Sequence, residues 1–271
     1  MKTIKKNPFF TSLFILIVFA TSCTKTPIYK TSWQSTPEVI DGFDNDEPKG
    51  MYYDHKAKMV CWFSNDENNF YVNLKVVDKT TQKKIIVTGL TLWIDTLGKK
   101  EKLYGITYPM KTDVKKSIRA GSNLNQQHNI KISGFDKSGE DIIVNNRTSK
   151  NITVACKMDS LGTFFYEAGI PLNMLFSNPA EYLTDTTKMF SIGFETGSLE
   201  IPVAPSSGSM RGGMSKGGGG NRGGAGGPGG SGGGRGSGGS GNKSQKSAEM
   251  QAMAQASKFW IKNVRLSNGE E

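Results

Sequence analysis

Apolar and polar residues alternate with a period of two along much of this 271-residue sequence. The alternation is clearest over residues 59–64, 70–77 and 90–95. Successive side chains of an extended strand point to opposite faces, so this period predicts half-buried antiparallel strands. The other candidate strands are residues 128–133, 141–145, 152–158, 163–169, 189–195 and 259–266. Many short strands separated by turn residues predict an all-β protein, an antiparallel β-sandwich similar to a jelly roll.

Helix is predicted to be scarce, with one turn near residues 113–118, one at 171–176 and a short amphipathic piece across 245–256. Glycine is concentrated in one segment, because 20 of the 33 glycines lie between Gly208 and Gly241. Such a segment has few side chains to bury and a large ordering entropy, which predicts a long disordered loop.

The alternating pattern resumes beyond this loop, so the last strand is predicted to belong to the same sandwich. The predicted organisation is a signal peptide at residues 1–22, a tether at 23–32, a sandwich at 33–205, the Gly-rich basic loop at 206–246, and a short helix with the last strand at 247–271.

The net charge of +10 is unevenly distributed. The signal peptide carries +3 and the glycine-rich loop carries +6, which leaves +1 for the rest of the chain. The folded body is therefore predicted to be nearly neutral, without a basic groove for nucleic acid. The cationic loop is predicted to be a solubilising spacer, the alternative being a contact with anionic envelope polymers.

The N-terminus has the three parts of an export signal. Lys2, Lys5 and Lys6 precede an apolar run that is too short to span a bilayer, and small residues follow it. Ala20-Thr21-Ser22-Cys23 resembles the lipobox of bacterial lipoproteins. Cys23 is therefore predicted to carry the lipid that anchors the mature protein to a membrane.

The chain resembles lipoproteins of the Bacteroidetes, in which acidic residues directly after the lipidated cysteine direct export to the cell surface. Here Thr24-Lys25-Thr26 follows Cys23, and the first acid is Glu38. The resemblance therefore implies a lipid anchor in the outer membrane with the domain facing the periplasm.

Two cysteines remain for the folded domain, Cys61 and Cys156, both inside predicted strands. An exported protein experiences conditions in which a disulfide between them is possible. Two buried free thiols are the favoured alternative, since small disulfide-stabilised domains usually contain more cysteines.

Four segments, in this order, resemble family 9 carbohydrate-binding modules and the related DOMON-like sandwiches. The resemblance implies a β-sandwich over residues 33–204 plus the last strand, in a family whose wider members bind sugars or haem. It also implies a structural role for Glu167. The tryptophan that commonly follows the first motif is absent around Glu47-Pro48-Lys49. The segments are Val39-Ile40-Asp41-Gly42, residues 65–72, residues 166–172 and Ile192-Gly193-Phe194-Glu195.

Trp62 and Trp93 are out of phase with the apolar core positions of their strands. Both are therefore candidates for a flat aromatic surface on which a sugar ring stacks, with Asn73 and Asp95 near enough to bind its hydroxyls. The alternative is that an additional loop covers this face and that both tryptophans are core residues. Trp33 and Trp260 are predicted to be packing residues at the ends of the sheet.

The sequence contains none of the common catalytic motifs, so no enzymatic activity, cofactor or metal is predicted. Glu167 and Glu195 are possible paired carboxylates, but nothing in the sequence brings them to a common cleft. The acidic residues of 41–47 lack EF-hand spacing and predict a solvated turn. His55 and His128 are predicted to be surface residues rather than haem ligands.

Three tripeptides resemble the sites at which Bacteroidetes O-glycosylate exported proteins. The candidate acceptors are Thr96, Ser160 and Thr186, each directly after an aspartate. Such tripeptides also suit turns.

The sequence thus predicts a non-catalytic, lipid-anchored envelope protein whose partners are the membrane and a glycan or oligosaccharide. The alternative is a structural or adaptor lipoprotein that packs on a protein partner and has no small ligand.

Overall fold

The computed structural model of the chain describes residues 27–43, 50–111, 127–136, 138–146, 151–199 and 250–270. The predicted signal peptide, Cys23, the predicted helical turn at 113–118 and the glycine-rich loop lie outside these residues. Within the described ranges, no helix has both the length and the apolar character needed to cross a bilayer.

Strands make up most of the described chain, and the helices are short. The strands are β1 (Tyr29–Lys30), β2 (Ser32–Trp33), β3 (Tyr52–Asp54), β4 (Met59–Asn65), β5 (Asn69–Val76), β6 (Leu90–Asp95), β7 (Tyr104–Thr107), β8 (Asn129–Ser133), β9 (Ile142–Asn145), β10 (Thr153–Met158), β11 (Phe164–Pro171), β12 (Phe190–Thr196) and β13 (Lys258–Arg265). The helices are α1 (Lys79–Thr88), α2 (Leu172–Leu175), α3 (Pro179–Thr184) and a helical turn at residues 250–254.

The strands form two sheets. Sheet 1 has the order β1-β13-β12-β6-β7-β8-β9, and sheet 2 has the order β10-β11-β5-β4-β2, with β3 also paired to β4. All neighbours are antiparallel except the two short N-terminal strands, which run parallel to β13 and β4. The predicted antiparallel β-sandwich is therefore confirmed.

One core lies between the two sheets. The alternating apolar residues of both sheets contribute to it, including Phe70 and Leu74 of sheet 2 and Leu92, Ile192 and Ile261 of sheet 1. All five side chains are at most 1% exposed. The period of two in the sequence therefore correctly identified the inner face of each strand.

The sequence did not predict α1, which runs between β5 and β6. Asp78 caps the first turn by accepting a hydrogen bond from the Thr81 N–H at 2.9 Å. An aspartate in this position is a common helix N-cap. The β-branched run from Ile85 to Thr88 masked the helix, because such residues favour strands.

The last strand, β13, belongs to sheet 1 although residues 197–257 separate it from β12 in the sequence. Strand β13 pairs antiparallel with β12, with Gly193 opposite Trp260 and Glu195 opposite Lys258. On its other edge, β13 pairs in parallel with β1.

The candidate disulfide between Cys61 and Cys156 is wrong, because both cysteines are free and buried. They lie at opposite sides of sheet 2, with Leu74 and Tyr166 between them in one row of paired residues. Three strand spacings separate the two Cα atoms by about 14 Å, twice the span that a disulfide bridges. Burial raises the pKa of both thiols, which keeps them protonated.

Asn65 joins both ends of the described chain at the end of β4. Its buried amide group donates to the Ser267 carbonyl and accepts from the Ser267 N–H, both at 2.9 Å. The same oxygen accepts a hydrogen bond from the Thr31 hydroxyl, and the amide also donates to the Asp66 carbonyl. Thr31 lies between β1 and β2, so this one side chain links the first strands to the residues after the last strand.

We therefore expect Asn65→Ala to lower the free energy of unfolding by about 2–4 kcal/mol, because it leaves buried polar groups without partners. Urea denaturation measures the change. Asn268→Ala is the control, since Asn268 is exposed and its side chain bonds to the exposed Glu270. Equal stability of the Asn65 and Asn268 variants would contradict the role of Asn65.

Candidate functional site

The outer face of sheet 2 is covered by residues 34–43, which we call the strap. The Glu38 carboxylate accepts hydrogen bonds from Gln34 at 2.8 Å, from the Ser64 hydroxyl and from Asn73 at 3.4 Å. Ile40 lies against Gly169 of β11. The strap therefore binds to the sheet through both polar and apolar contacts.

Glu167 of β11 fixes the strap most directly. One of its carboxylate oxygens accepts backbone hydrogen bonds from Asp41 at 3.0 Å and Gly42 at 2.8 Å. Burial raises the pKa of Glu167 to about 7, with smaller contributions from the charges of Asp41 and Glu38. The two N–H donors act in the opposite direction, since they stabilise the ionised form.

Because of the strap, two candidate glycan-binding residues are inaccessible. Trp62 and Asn73 face each other on the outer face of sheet 2, and each is only 6% exposed. Trp93 belongs to sheet 1, so Trp62 and Trp93 lie on opposite faces of the sandwich. The expected platform of these two tryptophans therefore does not form, and the covering-loop alternative holds for Trp62.

The placement of Asp95 is also unsuited to binding a sugar. Its side chain is fully buried, and its two carboxylate oxygens accept backbone hydrogen bonds from Leu97 and Glu101, each at 2.9 Å. Asp95 therefore caps the turn after β6, and its carboxylate is not accessible to a ligand from solvent.

The outer face of sheet 1 carries two tryptophans, each lying on a glycine of the next strand. A Cβ atom added to Gly105 would lie 2.5 Å from the Trp93 ring, and one added to Gly193 would lie 2.8 Å from the Trp260 ring. Both indoles are half-buried, since one face contacts the sheet. Glycine is needed at both positions because the rings lie directly on the backbone.

These four residues are aligned across the sheet. The register places them in the order Trp260, Gly193, Trp93 and Gly105, and Ser133 follows. We call this line the tryptophan row. The two rings lie over β12 and β7, which are two strand spacings or about 9.5 Å apart.

A second line of outward residues runs beside the tryptophan row, and we call it the polar row. The Thr91 and Thr107 hydroxyls lie 2.9 Å apart at its centre. Glu195 accepts a hydrogen bond from the Trp93 indole N–H at 2.9 Å. The members in register are Lys258, Glu195, Thr91, Thr107 and Lys131.

Trp93 is held in its orientation from three sides. Gly105 lies beneath the ring, and Glu195 binds its N–H. The Lys102 ammonium lies 5.1 Å from the ring centroid and 2.5 Å from the Glu195 carboxylate. The indole is therefore preorganised, which lowers the entropy lost on ligand binding.

The sequence did not identify Trp260, Glu195 or Lys102 as parts of this site. Trp260 was predicted to be a packing residue, but it lies on the open face of the sheet. The available signal was a glycine inside each of two strand segments, which often marks the close approach of another group.

A separate groove of about 520 Å³ lies at one end of the sandwich. It is lined by residues of four segments, including Trp33, Glu67 and Glu270. The Trp33 ring lies against Gly269, where an added Cβ atom would be 2.8 Å away. Trp33 is therefore a third half-buried indole on a glycine, remote from the two rows.

The three candidate O-glycosylation residues lie in turns. Ser160 and Thr186 are exposed, and Thr96 is half-buried. The aspartates before Ser160 and Thr186 each accept a backbone hydrogen bond within their turn. The described part of the chain contains no cluster of three or more His, Cys, Asp or Glu side chains that could hold a metal ion.

No protein-family model matches the sequence, and no curated protein matches it. Two solved structures of a family 9 carbohydrate-binding module from Caldicellulosiruptor kristjanssonii are similar to this chain. The complex with glucose has 13% identity, covers 63% of this chain and 78% of its own, and has a TM-score of 0.30. The complex with cellotriose has 14% identity, coverages of 63% and 76%, and a TM-score of 0.31. Such values do not identify the family of the chain.

Stability should fall as the pH rises, because the pKa of Glu167 is about 7 in the folded state and near 4.5 in its usual state. The folded protein holds this proton more tightly, so the stabilisation is complete below about pH 4.5 and is lost as the pH passes 7. Between about pH 5 and pH 8 we expect a loss of about 1–3 kcal/mol in the free energy of unfolding. Glu167→Gln should remove this slope in urea denaturation, and parallel pH profiles of the two proteins would refute the assignment.

Proposed function

We propose that the protein is a non-catalytic, lipid-anchored envelope protein that binds a glycan on the outer face of sheet 1. The observation that carries this proposal is the pair of half-exposed indoles, Trp260 and Trp93, lying flat on one open sheet face. A flat aromatic ring offers the C–H face of a pyranose an apolar surface of matching shape.

The spacing of the two rings favours an extended glycan chain. About 9.5 Å separates them, comparable with the length of two sugar units in an extended β-1,4-linked chain. In such a chain alternate units present the same face, so one unit stacks on Trp260 and the next but one on Trp93. The chain crosses the strands of sheet 1 along the tryptophan row.

The polar row supplies hydrogen-bond partners along one side of this chain. The hydroxyls of Thr91 and Thr107 both donate and accept, and Glu195 accepts. A few placed polar groups beside an aromatic surface are typical of ligand sites, where they fix the ligand's orientation.

The positions of the two candidate catalytic carboxylates support a non-catalytic role. Glu167 lies beneath the strap on sheet 2, whereas Glu195 lies on the outer face of sheet 1. They face opposite sides of the sandwich and cannot act on one substrate bond.

The proposed lipid on Cys23 places the glycan site near the membrane. Only five residues separate Cys23 from Tyr29, the first residue of β1 in sheet 1. Even fully extended, this segment spans about 20 Å. With the anchor in the outer membrane and the domain facing the periplasm, the ligand is a glycan of the periplasmic envelope.

We expect Trp93→Ala and Trp260→Ala each to weaken glycan binding at least about tenfold, because each removes one stacking surface. Affinity electrophoresis against neutral and acidic polysaccharides, with cellohexaose as a soluble competitor, measures the loss. Trp33→Ala is the matched control, since it also removes a half-buried indole from a glycine. Loss of binding in the control alone would place the ligand in the groove, and no binding by any form would favour the protein-partner alternative.

A second test leaves both tryptophans in the chain. Gly193→Ala and Gly105→Ala place a methyl group under the Trp260 and Trp93 rings, which must then tilt away from the sheet. We expect each to weaken binding about three- to tenfold, since preorganisation is lost. Gly169→Ala, which meets Ile40 of the strap on sheet 2, should bind like the wild type. Full binding by both sheet 1 variants would show that the flat arrangement is not needed.

A further inference from the structure

Sheet 1 carries an excess of positive charge beside its tryptophans. Among the described residues, five cations lie on or next to the two rows, and two of them pair with Glu195 and Asp141. The cations are Lys102, Lys131, Lys258, Lys262 and Arg265. This excess is local, because the body of the chain is nearly neutral.

The cations near Trp93 are already paired. Lys102 binds Glu195 at 2.5 Å, and Lys131 binds Asp141 at 2.9 Å. These pairs leave the Trp93 end of the row with little net charge.

The cations near Trp260 have no such partners. Within the described residues, Lys258, Lys262 and Arg265 of β13 make no salt bridge. Lys258 and Lys262 are exposed, and Arg265 is half-buried. Like charges that are held close together on one strand attract anions to that strand.

Lys258 and Lys262 lie two positions before and two positions after Trp260. Alternate residues of a strand share a face and are about 6.8 Å apart, so the two lysines lie on either side of Trp260 along β13. A register shift between β12 and β13 follows Ile261, and Asn263 has a φ of 56°. The irregularity leaves Lys262 exposed on the side of Trp260 away from Lys258.

From this arrangement we infer that the bound glycan is anionic, with a carboxylate or sulfate on the sugar that stacks on Trp260. The inference rests on the proposed glycan site and names its ligand class. Lys258 and Lys262 bind the acidic group from either side of the ring. The sugar on Trp93 needs no acidic group, because Lys102 already binds Glu195 there.

The test compares glycans that differ only in charge. Isothermal titration calorimetry of the full chain uses hexagalacturonate and mannuronate oligomers as carboxylated probes, heparin oligomers as sulfated probes, and the methyl-esterified uronates as neutral partners. At about 0.05 M NaCl we expect an acidic probe to bind about tenfold or more tightly than its neutral partner. At about 0.5 M NaCl this difference should largely disappear.

The lysines are tested by Lys258→Gln/Lys262→Gln, which keeps both tryptophans. This double variant should lose about three- to thirtyfold in affinity for the acidic probe and leave the neutral partner unchanged. Lys56→Gln, an exposed lysine in the turn between β3 and β4, is the control and should bind both probes like the wild type.

The outcomes separate this inference from the proposed function. Equal binding of acidic and neutral probes, lost in Trp93→Ala, would overturn the anionic ligand and keep the glycan site. Binding of no glycan probe would overturn both. If the lysines instead supported binding to vesicles of anionic phospholipid and to no glycan, the surface would be a membrane contact and the inference would be wrong.

Discussion

The bond between Glu167 and the strap determines which surface of this sandwich is open. Its carboxylate accepts two backbone N–H groups, from Asp41 and Gly42, and so holds ten residues of chain against sheet 2. The strap covers the outer face of sheet 2, where Trp62 and Asn73 are buried. The inner face of this sheet packs in the core, so both of its faces are covered. On sheet 1, Trp93 and Trp260 stay half-exposed among the described residues. Because the Glu167 carboxylate bonds to backbone N–H groups, it fixes the path of the strap without requiring particular side chains at these two positions.

Much of the fold was predictable because strand periodicity is a local signal. Nine predicted strands match observed strands within two residues, among them the last strand beyond the glycine-rich loop. Among the elements that were not predicted, α1 and β7 were missed for opposite reasons. Helix α1 contains β-branched residues that favour strands, whereas β7 contains Gly105, which weakens a strand signal. In both, tertiary contacts outweigh local propensity: Ile85 of α1 is fully buried in the core, and Gly105 lies beneath Trp93.

The site was less predictable, because its geometry depends on which strands are neighbours. Alternation correctly placed Trp62 and Trp93 on outer faces, but it contains no information about which sheet each strand joins or what covers that sheet. The alignment of Trp260 with Trp93 requires β12 to lie between β13 and β6, a pairing between segments far apart in sequence. In the sequence, the only local signs of this arrangement were Gly193 and Gly105. The ring of a tryptophan on a neighbouring strand occupies the space that a side chain would take at each glycine.

The same topology connects the proposed binding face to the proposed anchor. Strand β1 begins six residues after Cys23 and pairs with β13, which carries Trp260 and the unpaired lysines. Asn65 then links Thr31, directly after β1, to Ser267, the second residue after β13. A force applied at the proposed lipid therefore acts first on β1, at the edge of sheet 1. The buried Asn65 amide then transmits part of this force to β4 of sheet 2.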